Sequence, residues 1–219
     1  LESFVSPLFS AVPNTAPERE IIAEPLFAPG TLPMLVQVQP QASQRQLDLL
    51  FPIPDYRGDY AVKPVSYVAN LVGHEGGGSL LSRLKAEGLA EGLSAGSGLA
   101  WPGGELFSVS ITLTEKGVAD YRRVVQLFFA YMDMLRQQGA QQWLYDEQTR
   151  LADLSFRFKQ EGDPMGYVSA TAAGMHDYAP LDILRGPYLM DRYDQAMIDS
   201  LLQQINAGNV VVSLSDESV

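Results

Sequence analysis

The order of apolar and polar residues divides the chain into a β-rich opening and a mostly helical remainder. Leu35-Val36-Gln37-Val38-Gln39 alternates with the two-residue period of a half-buried strand, and Gln46-Leu47-Asp48-Leu49-Leu50-Phe51 repeats the pattern. These predict two antiparallel strands joined around Pro40 to Ser43, with Pro52-Ile53-Pro54-Asp55 ending the second. Short helices are expected over Lys63 to Val72 and Leu80 to Ala86, separated by the glycine cluster from Gly73 to Gly78. Leu89 to Leu99 and Leu106 to Leu113 then read as a strand pair turning at Trp101-Pro102-Gly103-Gly104.

Thr114 is suited to cap the longest helix, along which Val118, Tyr121, Val125, Phe128, Met132 and Leu135 recur at three- and four-residue spacing. Gly139 is expected to stop it by taking a left-handed conformation. A second amphipathic helix carries Leu144, Leu151, Leu154 and Phe158. Asp163-Pro164 places a cap and a first-turn proline in the favoured order for a third, with Val168, Ala172 and Met175 on its buried side. A fourth, capped by Asp194, is expected to bury Ile198, Leu201 and Ile205, and Asn209 to Leu214 is a closing apolar strand. The fold class that follows is α+β: two layers, a mostly antiparallel sheet covered by helices. The helices beginning at Thr114 and Ala140 should lie on one face of that sheet and bury Phe128, Met132 and Phe158.

Proline use separates the opening from the rest. Ten of the 14 prolines stand at or before Pro64, and the five from Pro13 to Pro33 exclude a continuous helix there. That stretch reads as a linker leading into an edge strand. Hydrophobic residues at 46% and charged residues at 19% are a globular composition. The net charge of -11 argues against a nucleic-acid partner, because phosphate binding needs concentrated Lys and Arg. No apolar run approaches the roughly 20 residues of a membrane helix. The absence of cysteine excludes disulfides, thiolate metal ligands and thiol catalysis.

Candidate chemistry is sparse. His74 and His176 are the only histidines, and a catalytic zinc needs three protein ligands with an open position. His74 and Glu75 are sequence neighbours, so one ion could not readily use both. Neither H-E-x-x-H nor its inverted form H-x-x-E-H occurs. The run Gly73-His74-Glu75-Gly76-Gly77-Gly78-Ser79 lacks the lysine of a phosphate loop and follows a helix instead of a strand. It reads as a sharp turn between helices, or as a surface where backbone approaches a ligand closely. Ser79 has no G-x-S-x-G context, and Asp146-Glu147 and Asp216-Glu217 read as solvated surface. Phe128, Phe129 and Tyr131 keep helical spacing, which favours core over a binding platform. No catalytic residue and no metal ligand is assigned.

Taken in order along the chain, several segments resemble the insulinase/pitrilysin family of inverted-zincin metallopeptidases. They are Phe51-Pro52-Ile53-Pro54-Asp55, Tyr67 to Gly73, the run from Gly73 to Ser82, Leu113-Thr114-Glu115-Lys116-Gly117, Phe156-Arg157-Phe158, Asp182-Ile183-Leu184 and Gly186-Pro187-Tyr188. The opening Leu8 to Asn14 resembles the tail of the family's first, catalytic domain. The resemblance implies a domain of a bacterial pitrilysin-like enzyme: residues 1–20 as tail and linker, residues 21–219 as the second, non-catalytic domain of the N-terminal half. It further implies a family architecture of four homologous domains enclosing a chamber, with zinc held in the first domain and none in this chain. The implied partners are a peptide substrate and the other domains of the parent protease, with no nucleic acid and no membrane. The implied setting is periplasmic, with the cytoplasm also open.

The same resemblance implies a substrate-binding exosite at Gly73, Glu75, Leu93, Ala95 and Gly96, where a peptide extends an edge strand and its amino terminus is anchored. Ala69 and Ala95 stand where some relatives carry glycine, and Gly77 replaces a proline common in that loop. The function implied is a substrate-binding and chamber-forming domain of a zinc endopeptidase. The alternative is a non-proteolytic scaffold domain of the same superfamily.

Overall fold

The computed structural model describes residues 2–13, 15, 20–160 and 162–218. Helix α1 (Glu2–Phe9) buries no residue. The linker expected over residues 13 to 33 has no helix or strand at its described positions; residues 14 and 16–19 of it lie outside the described residues. Strands β1 (Met34–Val38) and β2 (Gln46–Ile53) follow. Helices α2 (Pro64–Val72) and α3 (Leu80–Ala86) lead into β3 (Ala90–Trp101) and β4 (Gly104–Leu113). The remainder is α4 (Glu115–Ala119), α5 (Tyr121–Gln138), α6 (Gln142–Arg157), α7 (Pro164–Gly174), α8 (Gln195–Gln204) and β5 (Val211–Ser215). None of the described helices is long and apolar enough to cross a membrane.

The five strands form one sheet in the order β1-β5-β2-β4-β3. Only the β1–β5 pair is parallel, so the mostly antiparallel sheet of the sequence reading stands. The expected pairing of the first two strands does not occur. β5 lies between them, parallel to β1 and antiparallel to β2. A hairpin reading takes strands adjacent in sequence as adjacent in space, yet the connection after Val38 is long enough to step over one strand, about 10 Å. Pro52 is tolerated inside β2 because the β5 pairing stops at Leu50, so its missing N–H is not needed on that side. Its carbonyl accepts a hydrogen bond from Asn209 Nδ2 at 2.8 Å.

Alternation divides the sheet into two faces. Leu47, Leu49, Phe51 and Ile53 of β2 and Phe107, Val109, Ile111 and Leu113 of β4 are buried beneath the helices. The opposite face is polar, and the Ser110 hydroxyl donates there to Asp48. α2 and α3 bury Val65, Val68, Val72, Leu80, Leu81 and Leu84. From α5 come Val124, Phe128, Met132 and Leu135, and from α8 Ile198, Leu201 and Leu202. Phe128 stacks on Phe51 with ring centroids 5.6 Å apart and meets Phe129 edge-on, so these rings are core and not a binding platform.

Local signals are confirmed at several ends and corrected at others. Asp163 and Asp194 cap α7 and α8, accepting from Gly166 N–H at 2.7 Å and Met197 N–H at 3.0 Å. Gly139 ends α5 at φ 66°, its N–H bonded to Leu135. Thr114 does cap a helix, but the short α4; the chain breaks at Asp120, and the long helix starts at Tyr121. The larger correction concerns α6 and α7. Only Tyr145 of α6 is buried, and α7 buries nothing. Leu151, Leu154, Phe158, Val168 and Met175 face solvent, Phe158 with 77% of its surface exposed. Their apolar spacing is genuine, but within the described residues nothing packs over it.

Candidate peptide-binding edge

β3 is the last strand of the sheet, so its outer side pairs with no other described strand. It is long, and small over its middle: Ser94-Ala95-Gly96-Ser97-Gly98 runs along the open edge. Alternate residues of an antiparallel edge strand turn their N–H and C=O outward, which makes a template for another extended chain. A register shift between Ser97 and Ala100 breaks the ladder near the hairpin end. That irregularity limits the straight pairing surface to the stretch before it.

α2 packs beside this strand and ends at Gly73, whose N–H donates to the Ala69 carbonyl at 2.8 Å. A Cβ at position 73 would lie 3.0 Å from that carbonyl and 3.7 Å from the Ala95 nitrogen. The tight contact is with the carbonyl of α2 itself, while the strand backbone lies at ordinary van der Waals distance. The glycine turn then reverses the chain, with His74 Nδ1 accepting from Gly76 N–H at 3.2 Å. Of its glycines, only Gly78 needs a left-handed conformation, at φ 84°. Ser79 closes the turn by capping α3, its hydroxyl accepting from Ser82 N–H at 3.1 Å.

The structure thus brings Gly73, Ala95 and Gly96 together at one edge, with Glu75 exposed on the adjoining turn. Glu75 forms no ion pair with a described residue. Leu93 differs from the rest: its side chain is buried, 8% exposed, so it can offer a ligand only backbone. His74 and His176 are both exposed and lie in different turns. Among the described residues no three His, Asp or Glu side chains gather around a common point, so these residues do not fit a zinc ion.

Behind the strand lies a polar group that the sequence reading passed over. Glu105 of β4 is buried, 3% exposed. Its position was legible: it shares the core parity of Phe107, Val109, Ile111 and Leu113, where a carboxylate is out of place. Burial raises its affinity for a proton, opposed by a hydrogen bond from the Ser97 hydroxyl. Near it, Asp55 is clamped by Arg57 (Nε to Oδ1 2.8 Å, Nη2 to Oδ2 2.6 Å) and also accepts from Gly103 N–H at the hairpin tip. The Arg57 guanidinium holds the Asp55 carboxyl down to about 2.

Comparison with known proteins decides the family. The description "Peptidase M16 inactive domain" matches residues 1–151, and "Middle or third domain of peptidase M16" matches residues 156–219. The chain belongs to the peptidase M16 family. This is the insulinase/pitrilysin group that the sequence resembles, and its members are zinc metallopeptidases. The A-factor-processing enzyme of Saccharomyces cerevisiae is 33% identical over 220 residues, which cover 100% of this chain and 21% of that protein. The insulin-degrading enzyme of Homo sapiens is 33% identical over 218 residues, covering 100% of this chain and 21% of that one. The crystal structure of pitrilysin superposes with a TM-score of 0.90 at 25% identity, over 95% of this chain and 22% of that one. The chain spans about a fifth of the length of these relatives. Both family descriptions contribute strands to one sheet, since β5 from the second sits between β1 and β2 from the first.

Proposed function

We propose that this chain is the substrate-binding, chamber-forming and non-catalytic domain of a zinc metalloendopeptidase. The observation that carries the reading is the open outer edge of β3, small in side chain and flanked by the Gly73 turn. A peptide laid there in extended form gains main-chain hydrogen bonds that depend little on its sequence. Glu75, exposed on the turn that follows Gly73, can select a charged amino terminus. Hydrolysis requires zinc and a general base, and both are supplied by a domain outside this chain.

The apolar surface left on α6 and α7 supports the second half of the reading. Leu151, Leu154, Phe158, Val168 and Met175 are all exposed, and exposed apolar residues gathered on one segment are what a partner surface covers. The remaining four-fifths of a relative-sized polypeptide provide the cover, and covering it joins this domain to the chamber wall.

Peptide titration tests the edge. With the chain labelled for NMR, an extended peptide with a free amino terminus should shift Gly73, Glu75, Leu93, Ala95 and Gly96, with a Kd on the order of millimolar. Acetylating the peptide or changing Glu75→Gln should weaken it. Equal binding of both peptides removes the terminus anchor, and shifts elsewhere remove the edge. The chain alone should hydrolyse no fluorogenic peptide; chelator-sensitive turnover would overturn its non-catalytic assignment.

A further inference from the structure

A cavity of about 320 Å3 opens between the start of α2 and the Ser97 end of β3, with Tyr56, Tyr60, Tyr178, Ser97 and Glu105 in its lining. Two cations also line it, and both are already engaged. Arg57 is held in the two-point pair with Asp55. Lys63 donates to the Gly186 carbonyl at 3.0 Å and to that of Pro187. Glu105 in the wall accepts hydrogen bonds from the Ser97 hydroxyl and the Tyr56 N–H and feels the Arg57 charge, but makes no direct ion pair with a described residue. Asp177 on the rim adds a second carboxylate.

A buried carboxylate whose nearest cation is committed to another carboxylate is only partly neutralised, and an arriving cation can complete that. The surroundings suit an arriving cation. Tyr60 and Tyr178 meet edge to face at 5.1 Å, and tyrosine faces attract ammonium and guanidinium groups. The chain's net charge of -11 draws basic peptides toward it. The mouth is also placed for a peptide on β3. Ser97 lies two residues beyond Ala95, about 7 Å along the strand, which is one same-side repeat of a paired peptide.

We infer that this cavity is a specificity subsite for a lysine or arginine side chain of the peptide held on β3, with Glu105 as the group that meets its charge. The inference rests on the peptide-binding reading of β3 and adds a preference to it. Asp55 has a positioning role: by holding Arg57 in the two-point pair, it commits that guanidinium to itself and leaves Glu105 only its longer-range charge.

A lysine scan tests it. In a peptide series, each position in turn carries lysine, norleucine or glutamate, and affinity for the 219-residue chain is measured by fluorescence anisotropy. One position should prefer lysine over norleucine by about tenfold, the size of one charge-assisted contact. Glutamate there should bind worst. Glu105→Gln should bring lysine and norleucine within about twofold, while a peptide with glycine at that position, which does not enter the cavity, reports whether the edge is intact. If peptides map to β3 but no position prefers lysine, or if the preference survives Glu105→Gln, the subsite is wrong and the edge stands. If no peptide binds at β3, both readings fall. The wild-type scan reads the preference without any variant, so a poorly folding Glu105→Gln does not shelter the proposal.

Discussion

The α5–α8 layer and the α6–α7 segment carry similar apolar spacing, and they end in opposite environments. In α5 the spaced residues Phe128 and Met132 are wholly buried against the sheet, and α8 buries Ile198 and Leu201 beside them. In α6 and α7, Leu154, Phe158 and Val168 stand in solvent. The contrast teaches that periodicity reports which face of a helix needs cover, but not which chain supplies it.

The largest effect should separate the two regions directly. Phe128→Ala empties a fully buried, stacked position and should cost about 3–5 kcal/mol. Phe158→Ala should change the chain's stability by less than about 0.5 kcal/mol. Denaturant unfolding of both variants measures this. A comparable loss at Phe158 would mean that α6 is packed in solution and that the comparison fails.

Next come the caps. Asp194→Ala removes the bond to Met197 from a helix docked in the core and should cost about 1 kcal/mol of global stability. Asp163→Ala removes an equivalent bond from α7, which buries nothing. It should therefore fray α7 in hydrogen exchange while leaving the global midpoint nearly unchanged. Equal global losses would tie α7 to the cooperative core.

The smallest effect is a pair of opposed pH dependences within the buried half. Asp55 has a folded pKa lowered from 3.8 to about 2, so its stabilisation is present above 3.8 and lost as pH falls toward 2. Asp55→Asn should be less stable than the parent chain at pH 6, by under about 1 kcal/mol because the pair is partly exposed, and equal to it near pH 2. Glu105 is shifted the other way, above 4.5, so its contribution is favourable below 4.5 and is lost as pH rises through the raised value. Glu105→Gln should therefore be more stable than the parent at pH 7 and equal at pH 4. Thermal unfolding across this range checks both signs, and a stability loss in Glu105→Gln at pH 7 would mean that its ionised form is already compensated.

Most of the architecture was legible because it is local. The second strand pair, its Pro102-Gly103 turn, α3 and α8 follow from alternation, glycine placement and capping residues that act within a few positions. Apart from the break at Asp120 that separates α4 from α5, the errors are non-local. Nothing near Val38 announces that β5, from the far end of the chain, takes the place beside β2. Of the expected site residues, Gly73 and Ala95 lie close together, but the buried side of Leu93 follows only from how β3 packs. Glu105 was legible in principle, because it falls in phase with four buried apolar residues.

The sequence by itself determined the fold class, the capped helix starts, the two-faced sheet and the resemblance to its family. Those depend on short-range periodicity and on the steric demands of glycine and proline. Only the tertiary structure decided that β5 is inserted between β1 and β2, that β3 is left as an open edge, and that α6 and α7 keep an uncovered apolar face. Each is a question of which surfaces meet across long chain separations, where backbone pairing and burial are settled by the whole sheet and not by any local pattern.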